Sequence, residues 1–158
     1  MRQRQTGQAD KLGIYIHIPF CRSICSFCPY CKTLYSEEAC SRYIDALIRE
    51  IHLAGSQIPG KKTVTSLYFG GGTPALAADR IKEIIDAIQE HFIITQGIGI
   101  ELHPENVTPR TLHILKEAGI TKLSIGIQSF QEKFQKLLGR TGADMFGRRQ
   151  EGEDTSSL

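Results

Sequence analysis

Four of the five cysteines in this 158-residue chain lie within eleven residues, at Cys21, Cys25, Cys28 and Cys31. They directly follow an apolar run, residues 13–18, that predicts a β-strand. Thiols this close together form disulfides, hold a zinc ion or hold an iron–sulfur cluster. The first residues lack the apolar segment of a secretory signal, so we expect a cytoplasmic chain whose thiols stay reduced. A metal centre is therefore favoured over disulfides.

The spacing of the cysteines favours an iron–sulfur cluster and leaves zinc open. Structural zinc sites usually combine two Cys-x2-Cys pairs separated by a dozen or more residues, and no second pair follows here. The Cys-x3-Cys-x2-Cys spacing of Cys21, Cys25 and Cys28 supplies three thiolates. A cluster of four irons held by three thiolates keeps one iron open to another ligand.

The composition is that of an ordinary globular domain, with 41% hydrophobic and 23% charged residues. The formal net charge of +2 indicates no special affinity for nucleic acid or a membrane surface. No apolar run approaches the length of about 18 residues that a membrane-spanning helix needs. One domain without a membrane span and without nucleic acid is expected.

Apolar periodicity predicts four strands, each followed by a helix, and thus an α/β fold with a parallel, curved sheet. The predicted strands are residues 13–18, 64–69, 98–102 and 122–127. Ser36 and Thr108 are expected to cap the first and third helices, Gly55 and Gly119 to end them, and Ser129 with Glu132 to form a capping box for the fourth. Residues 1–12 and 140–158 are expected to be disordered around a core at 13–139.

Unusual residues follow all four predicted strands. The cysteine loop follows the first, a Gly70–Gly72 turn the second, Glu101 ends the third and Gln128 follows the fourth. Ligands bind at the carboxyl ends of parallel strands, so these residues are expected at one rim. Taken singly, each has an ordinary alternative: a plain turn, a solvated carboxylate or a solvated amide.

The segments Tyr15-Ile-His-Ile-Pro-Phe-Cys21 and Gly70-Gly-Gly-Thr-Pro74, together with the cysteine spacing, resemble the radical S-adenosylmethionine (SAM) superfamily. They look like its oxygen-independent coproporphyrinogen III oxidase branch, which includes heme chaperones. The resemblance implies a partial (βα) barrel of about four of the family's six strand–helix units. It also implies a [4Fe–4S] cluster on Cys21, Cys25 and Cys28 whose open iron chelates SAM, which is cleaved to a deoxyadenosyl radical.

The same resemblance implies a set of SAM contacts, and it makes Cys31 a non-ligand. These contacts are Tyr15, Phe27, Gly71, Gly72, Thr73, Glu101, Gln128 and Arg140. Core packing is the alternative for Tyr15 and Phe27, and a charge at a helix end is the alternative for Arg140. The remaining histidines show no ligand spacing with one another: His52, His91, His103 and His113.

The resemblance further implies a porphyrin or heme substrate and an electron donor such as flavodoxin or ferredoxin. Two departures point to a relative of the oxidase rather than the oxidase itself. Few residues precede the first strand, and Cys31 lies three positions after Cys28, where the oxidase has a cysteine two positions on. Because only four units are visible, we expect a truncated core. A heme chaperone, or a small iron–sulfur or zinc module without SAM chemistry, are the alternatives.

Overall fold

The computed structural model describes residues 11–140, so most of the disorder expected for residues 1–12 and 140–158 lies outside the described part. The boundary of the first segment is corrected, because Lys11 and Leu12 already belong to a strand. The strands are β1 (Lys11–Ile18), β2 (Phe20–Cys21), β3 (Thr33–Leu34), β4 (Lys62–Gly71), β5 (Phe92–Ile94), β6 (Ile98–Leu102) and β7 (Ile120–Ile125). The helices are α1 (Glu37–Gln57), α2 (Ala78–His91), α3 (Pro109–Glu117) and α4 (Glu132–Leu137). Short 3-10 turns, Pro74–Ala77 and Pro104–Asn106, precede α2 and α3.

The main sheet has the order β1-β4-β6-β7, with β5 beside the start of β4, and every pairing in it is parallel. The predicted alternation of strands and helices in an α/β fold is confirmed. The short β5 and the two-residue pair β2–β3 were not predicted, because segments of two or three residues carry too little periodicity.

One face of the sheet is buried with the apolar stripes of the helices. Ile18, Phe69 and Ile100 are 0% exposed and belong to the same core cluster as Ile81 and Ile84 of α2. Residues that alternate with them along the strands point to the other face of the sheet. There Tyr15 pairs in register with Tyr68. This face, which carries their hydroxyl groups, is the polar face of the sheet.

The first helix is longer than predicted. Ser36 caps it as expected, accepting a hydrogen bond from the Ala39 N–H at 3.2 Å. Gly55 does not end it, because α1 continues to Gln57. The glycine instead makes room for α2: a Cβ at position 55 would lie 2.3 Å from Cγ of His91. The packing of two helices, and not a helix stop, explains this glycine.

The fourth helix forms, but without the predicted capping box. Its N-cap is Gln131, which makes no side-chain capping bond among the described residues, and Ser129 Oγ accepts from the Gln131 N–H at 3.1 Å. Two apolar residues of this helix, Phe134 and Leu137, are 44% and 76% exposed. The apolar side of α4 is thus not covered by residues 11–140.

The last strand also presents apolar side chains to solvent. Within residues 11–140, β7 pairs only with β6, and Leu123 and Ile125 are 46% and 36% exposed. The same stretch contains no helix that is long and apolar enough to cross a membrane.

Candidate cofactor site

A cavity of about 320 Å³ lies at the carboxyl ends of the strands. All predicted site residues except Tyr15 line it: Cys21, Cys25, Phe27, Cys28, Gly71, Gly72, Thr73, Glu101, Gln128 and Arg140. Four strand–helix units contribute to one pocket, as the rule for parallel sheets predicts.

The cysteine loop is held at both ends by backbone hydrogen bonds. The Thr33 N–H donates to Pro19 O at 2.8 Å, and the Tyr35 N–H donates to Cys21 O at 2.9 Å. Tyr43 of α1 donates its hydroxyl to His17 O at 2.7 Å, which fixes the end of β1. The loop therefore leaves and rejoins the fold at fixed points.

The predicted glycine turn overlaps the end of β4, which includes Gly70 and Gly71, and it packs directly against the first cysteine. Gly72 N–H donates to Ile18 O at 2.9 Å, and a Cβ on Gly72 would lie 2.6 Å from Phe20 O and 2.8 Å from Cys21 Sγ. Gly71 has φ of 120°, a conformation that favours glycine. Two glycines are thus required here by contact and by backbone geometry.

Cys21 differs from an ordinary exposed thiol. Burial raises its pKa, and the hydroxyl of Thr73, which donates to Cys21 Sγ at 3.8 Å, opposes that shift. A group that lowers the pKa of a thiol also favours the thiolate needed for metal binding.

Arg140 closes the far side of the cavity. Its Nη1 lies 4.0 Å from Cys25 Sγ, and its Nη2 donates to Gly126 O. Its Nε is buried and has no hydrogen-bond partner among the described residues. A buried donor without a partner costs free energy, so this atom is suited to an acceptor on a bound group. These contacts correct the alternative of a simple helix-end charge.

Glu101 and Gln128 bring a carboxylate and an amide to the same wall. Tyr68 donates its hydroxyl to Glu101 Oε1 at 3.5 Å. Gln128 has φ of 68°, in the left-handed region that side chains other than glycine seldom adopt. Such backbone strain concentrates at ligand-binding sites.

Tyr15 and Phe27 are not core residues, so that alternative is wrong for both. Tyr15 is 57% exposed on the polar face of the sheet, and its ring lies against Gly70, where a Cβ would approach within 2.8 Å. Burial and then the Glu101 charge raise the pKa of Tyr15. Phe27 is 39% exposed at the cavity.

Several residues that line the cavity were not predicted. They include Arg22, Lys32, His103, Glu105, Asn106 and Gly126. His103 follows β6 directly, so the strand-end rule that selected Glu101 applied to it as well. Burial, followed by the Arg140 charge, lowers the pKa of His103 to about 4. Its Nδ1 accepts from the Glu105 N–H at 3.3 Å, so the 3.7 Å contact with the Glu105 carboxylate is not an ion pair.

A family model described as the radical SAM superfamily matches residues 15–145 of the chain. The chain belongs to the radical SAM superfamily. The solved structure of coproporphyrinogen III oxidase (HemN) from Escherichia coli is similar, with a TM-score of 0.75 and 31% identity over 84% of this chain and 31% of that one. The expectation of a radical SAM fold is thereby confirmed.

The chain is also similar to two curated proteins whose names indicate different functions. The chain is 39% identical over 141 residues to an anaerobilin synthase of Escherichia coli O157:H7, covering 87% of this chain and 32% of that protein. It is 33% identical over 132 residues to the heme chaperone HemW of Bacillus subtilis, covering 80% and 34% respectively. The chain thus spans about a third of the length of these relatives.

The residues present fit the two groups that this superfamily implies, a [4Fe–4S] cluster and SAM. Three thiols with the Cys-x3-Cys-x2-Cys spacing line one cavity. The same cavity is lined by Gly71 and Gly72, where a Cβ would collide with Ile18 O and Phe20 O, and by Arg140, whose buried Nε has no hydrogen-bond partner among the described residues.

Proposed function

We propose that this chain is the cluster- and SAM-binding part of a radical SAM protein that acts on a tetrapyrrole. The observation that carries the proposal is the single cavity that collects the cysteines, the glycine turn, Glu101, Gln128 and Arg140. When bound, the cluster would supply the electron that cleaves SAM, delivered from a donor such as flavodoxin or ferredoxin.

Each residue of the cavity has a role in this proposal. The thiolates of Cys21, Cys25 and Cys28 would hold the cluster, and the Thr73 hydroxyl would donate to the first of these sulfurs. The absence of a Cβ at Gly72 would let this backbone pack against Phe20 O and Cys21 Sγ, and so hold the first cysteine in place beside the cavity.

The polar wall of the cavity would bind SAM. Glu101 offers a carboxylate for an amino group, and Gln128 offers an amide that can both donate to and accept from ribose hydroxyls. Arg140 Nε supplies a buried donor for an acceptor on the bound group. Phe27 would provide an aromatic surface in the cavity, while Tyr15, which does not line it, lies against Gly70.

The substrate class rests on the names of the relatives. A coproporphyrinogen oxidase, a heme chaperone and a bilin synthase all handle tetrapyrroles. The heme chaperone is retained as a second candidate, since HemW matches at an identity similar to that of the oxidase structure. A small iron–sulfur or zinc module without SAM chemistry would leave the arrangement of Glu101, Gln128 and Arg140 without a role.

The binding of SAM is tested by calorimetry on anaerobically reconstituted protein. We expect Gln128→Ala to weaken SAM binding about tenfold, because one lost hydrogen bond contributes about 1–1.5 kcal/mol. Gln89→Ala is the matched control, since Gln89 is an exposed glutamine on α2. Equal affinity in wild type and Gln128→Ala would remove this residue from the proposed site.

Heme retention separates the two candidate functions. The reconstituted protein is mixed with heme, with or without SAM, and passed over a gel-filtration column. An oxidase-type protein is expected to release heme, whereas a chaperone-type protein is expected to carry it through the column.

A further inference from the structure

Two histidines that are far apart in the sequence lie side by side between α1 and α2. His52 Nδ1 lies 3.1 Å from His91 Nε2 and 3.6 Å from Glu90 Oε2. One ligand atom of each of these three residues lies within 4.8 Å of the other two. His52 and His91 are half-buried and Glu90 is exposed, so the group is open to ions from solvent.

We propose that His52, Glu90 and His91 form a second metal site, for a divalent transition ion of the zinc type. Zinc binds imidazole and carboxylate at about 2.0–2.1 Å, so neighbouring ligands of a tetrahedral ion lie about 3.4 Å apart. The observed separations from His52 Nδ1, 3.1 and 3.6 Å, lie on either side of that value.

The orientation of the two rings agrees with this geometry. Their centroids are 5.4 Å apart, with an angle of 69° between the ring planes. Two imidazoles bound to one tetrahedral zinc have centroids about 5.2 Å apart. Little movement would be needed to place an ion between the two nitrogens.

The ligand types select the kind of ion. Two imidazoles and one carboxylate suit Zn²⁺ and related transition ions, and water would complete the coordination. Calcium and magnesium prefer sites made of oxygen atoms. The site is therefore expected to take zinc in preference to either of these two ions.

The packing around His91 holds its ring in place before an ion arrives. The ring occupies the space beside Gly55, where a Cβ would lie 2.3 Å from His91 Cγ. His91 is also the last residue of α2, and the C-terminal end of a helix favours a nearby positive charge. Gly55 therefore makes room for a ring that is a ligand in the proposed site.

The group also lies far from the cysteines. Phe92, next to His91, pairs with Lys62 at the start of β4, whereas the cavity lies beyond Gly71 at the end of that strand. Nine residues of strand separate these points by roughly 30 Å. Zinc bound at the cysteines and zinc bound at the histidines can therefore be distinguished.

A hydrogen bond between the two imidazoles is the competing account of the 3.1 Å contact. One ring would donate its N–H and the other would accept, with no ion needed. Titration with zinc distinguishes the two accounts, because only a metal site loses affinity when Glu90 is replaced.

The test is calorimetric titration of the full chain with Zn²⁺ after its accessible thiols have been alkylated. We expect one zinc ion per chain, bound at micromolar concentration or below, and a thermal midpoint that rises with zinc. His52→Gln and Glu90→Gln should each bind at least about tenfold more weakly. His113→Gln, an exposed histidine on α3, should bind as the wild type does.

Glu90 protects the test against a folding defect, because its side chain is 66% exposed and its replacement leaves the helix packing intact. Circular dichroism checks the fold of each variant. The proposal is overturned if the alkylated wild type binds no zinc at millimolar concentration. It is also overturned if Glu90→Gln binds zinc as tightly as the wild type.

Discussion

The four clustered cysteines differ in exposure and in what surrounds them. Cys21, Cys25 and Cys28 are half-buried and line the cavity, whereas Cys31 is exposed and is not among the residues that line it. The backbone of Cys31 contributes to the loop, since Cys31 O lies 2.9 Å from His17 Nε2.

We therefore expect Cys31→Ser to keep the iron content of anaerobically reconstituted protein and Cys25→Ser to lose it. A thiol outside the cavity contributes no bond to a group within it. Iron and sulfide are measured per chain, with Cys40→Ala as a control for a cysteine remote from the loop. Equal loss in Cys31→Ser and Cys25→Ser would instead favour a four-cysteine zinc or ferredoxin-type site.

A second residue-scale prediction concerns His103, whose pKa is lowered to about 4 from 6.5. Below pH 6.5 the unfolded chain takes up a proton at this residue and the folded chain does not. This contribution to stability is fully present above pH 6.5 and falls as the pH drops toward 4. The loss is at most about 3 kcal/mol.

His103→Asn isolates this contribution, because asparagine can still accept from the Glu105 N–H but does not titrate in this range. The free energy of unfolding is measured by urea denaturation between pH 7 and pH 4.5. We expect a shallower decline in the variant than in the wild type. Parallel declines would show that His103 is not held neutral by its surroundings.

The glycine turn after β4 is an element-scale feature that couples the sheet to the cysteine loop. Gly72→Ala would place a methyl group against backbone at Phe20 O and against Cys21 Sγ, so the loop must move. Overpacking of this kind costs about 1–3 kcal/mol. We expect lower iron content after reconstitution together with a lower thermal midpoint.

Gly13→Ala is the matched control for this substitution. A Cβ at position 13 would lie 4.0 Å from Ser66 Cβ, an ordinary contact. It should therefore leave the iron content unchanged. If Gly72→Ala reconstitutes and binds SAM like the wild type, the close packing of Gly72 against Cys21 is not needed for the proposed site.

The elements themselves could be predicted because their causes are local. Alternating apolar residues in β1 and the caps Ser36 and Thr108 act over a few residues, and both caps make the expected hydrogen bonds. The strand-end rule also brought Glu101 and the cysteine loop to one cavity. Local pattern and parallel topology account for these successes.

The features that could not be predicted depend on contacts between residues that lie far apart in the sequence. In the sequence, Gly55 resembles a glycine that ends a helix, but in the structure it makes room for His91 of α2. The contact between His52 and His91 depends on the same packing of α1 against α2. Gln128 gave no sign of its left-handed backbone, because glutamine is not a residue type that favours that conformation. Such features follow from tertiary packing and not from periodicity.

At the scale of the whole molecule, apolar side chains at the end of β7 and after it are exposed to solvent. Ile125 lines the cavity and is 36% exposed, and Phe130 and Leu137 farther along the chain are 75% and 76% exposed. Radical chemistry on a substrate requires a site that excludes water. The relatives are about three times as long as the matched chain, which agrees with further walls in those proteins.

We therefore expect this polypeptide by itself to cleave SAM without converting coproporphyrinogen III. The assay follows deoxyadenosine and decarboxylated product in the same anaerobic reaction. Product formed in proportion to deoxyadenosine would show that residues of this chain enclose the substrate without further walls.

The central claim is that Cys21, Cys25 and Cys28 hold a cluster that acts on SAM in the cavity at the strand ends. The most direct measurement is the deoxyadenosine formed by reconstituted, reduced protein in the presence of SAM, with Cys25→Ser as the matched variant. The account predicts deoxyadenosine from the wild type and Cys31→Ser, and none from Cys25→Ser. Reconstituted wild-type protein that is folded and loaded with iron, but forms no deoxyadenosine, would contradict it.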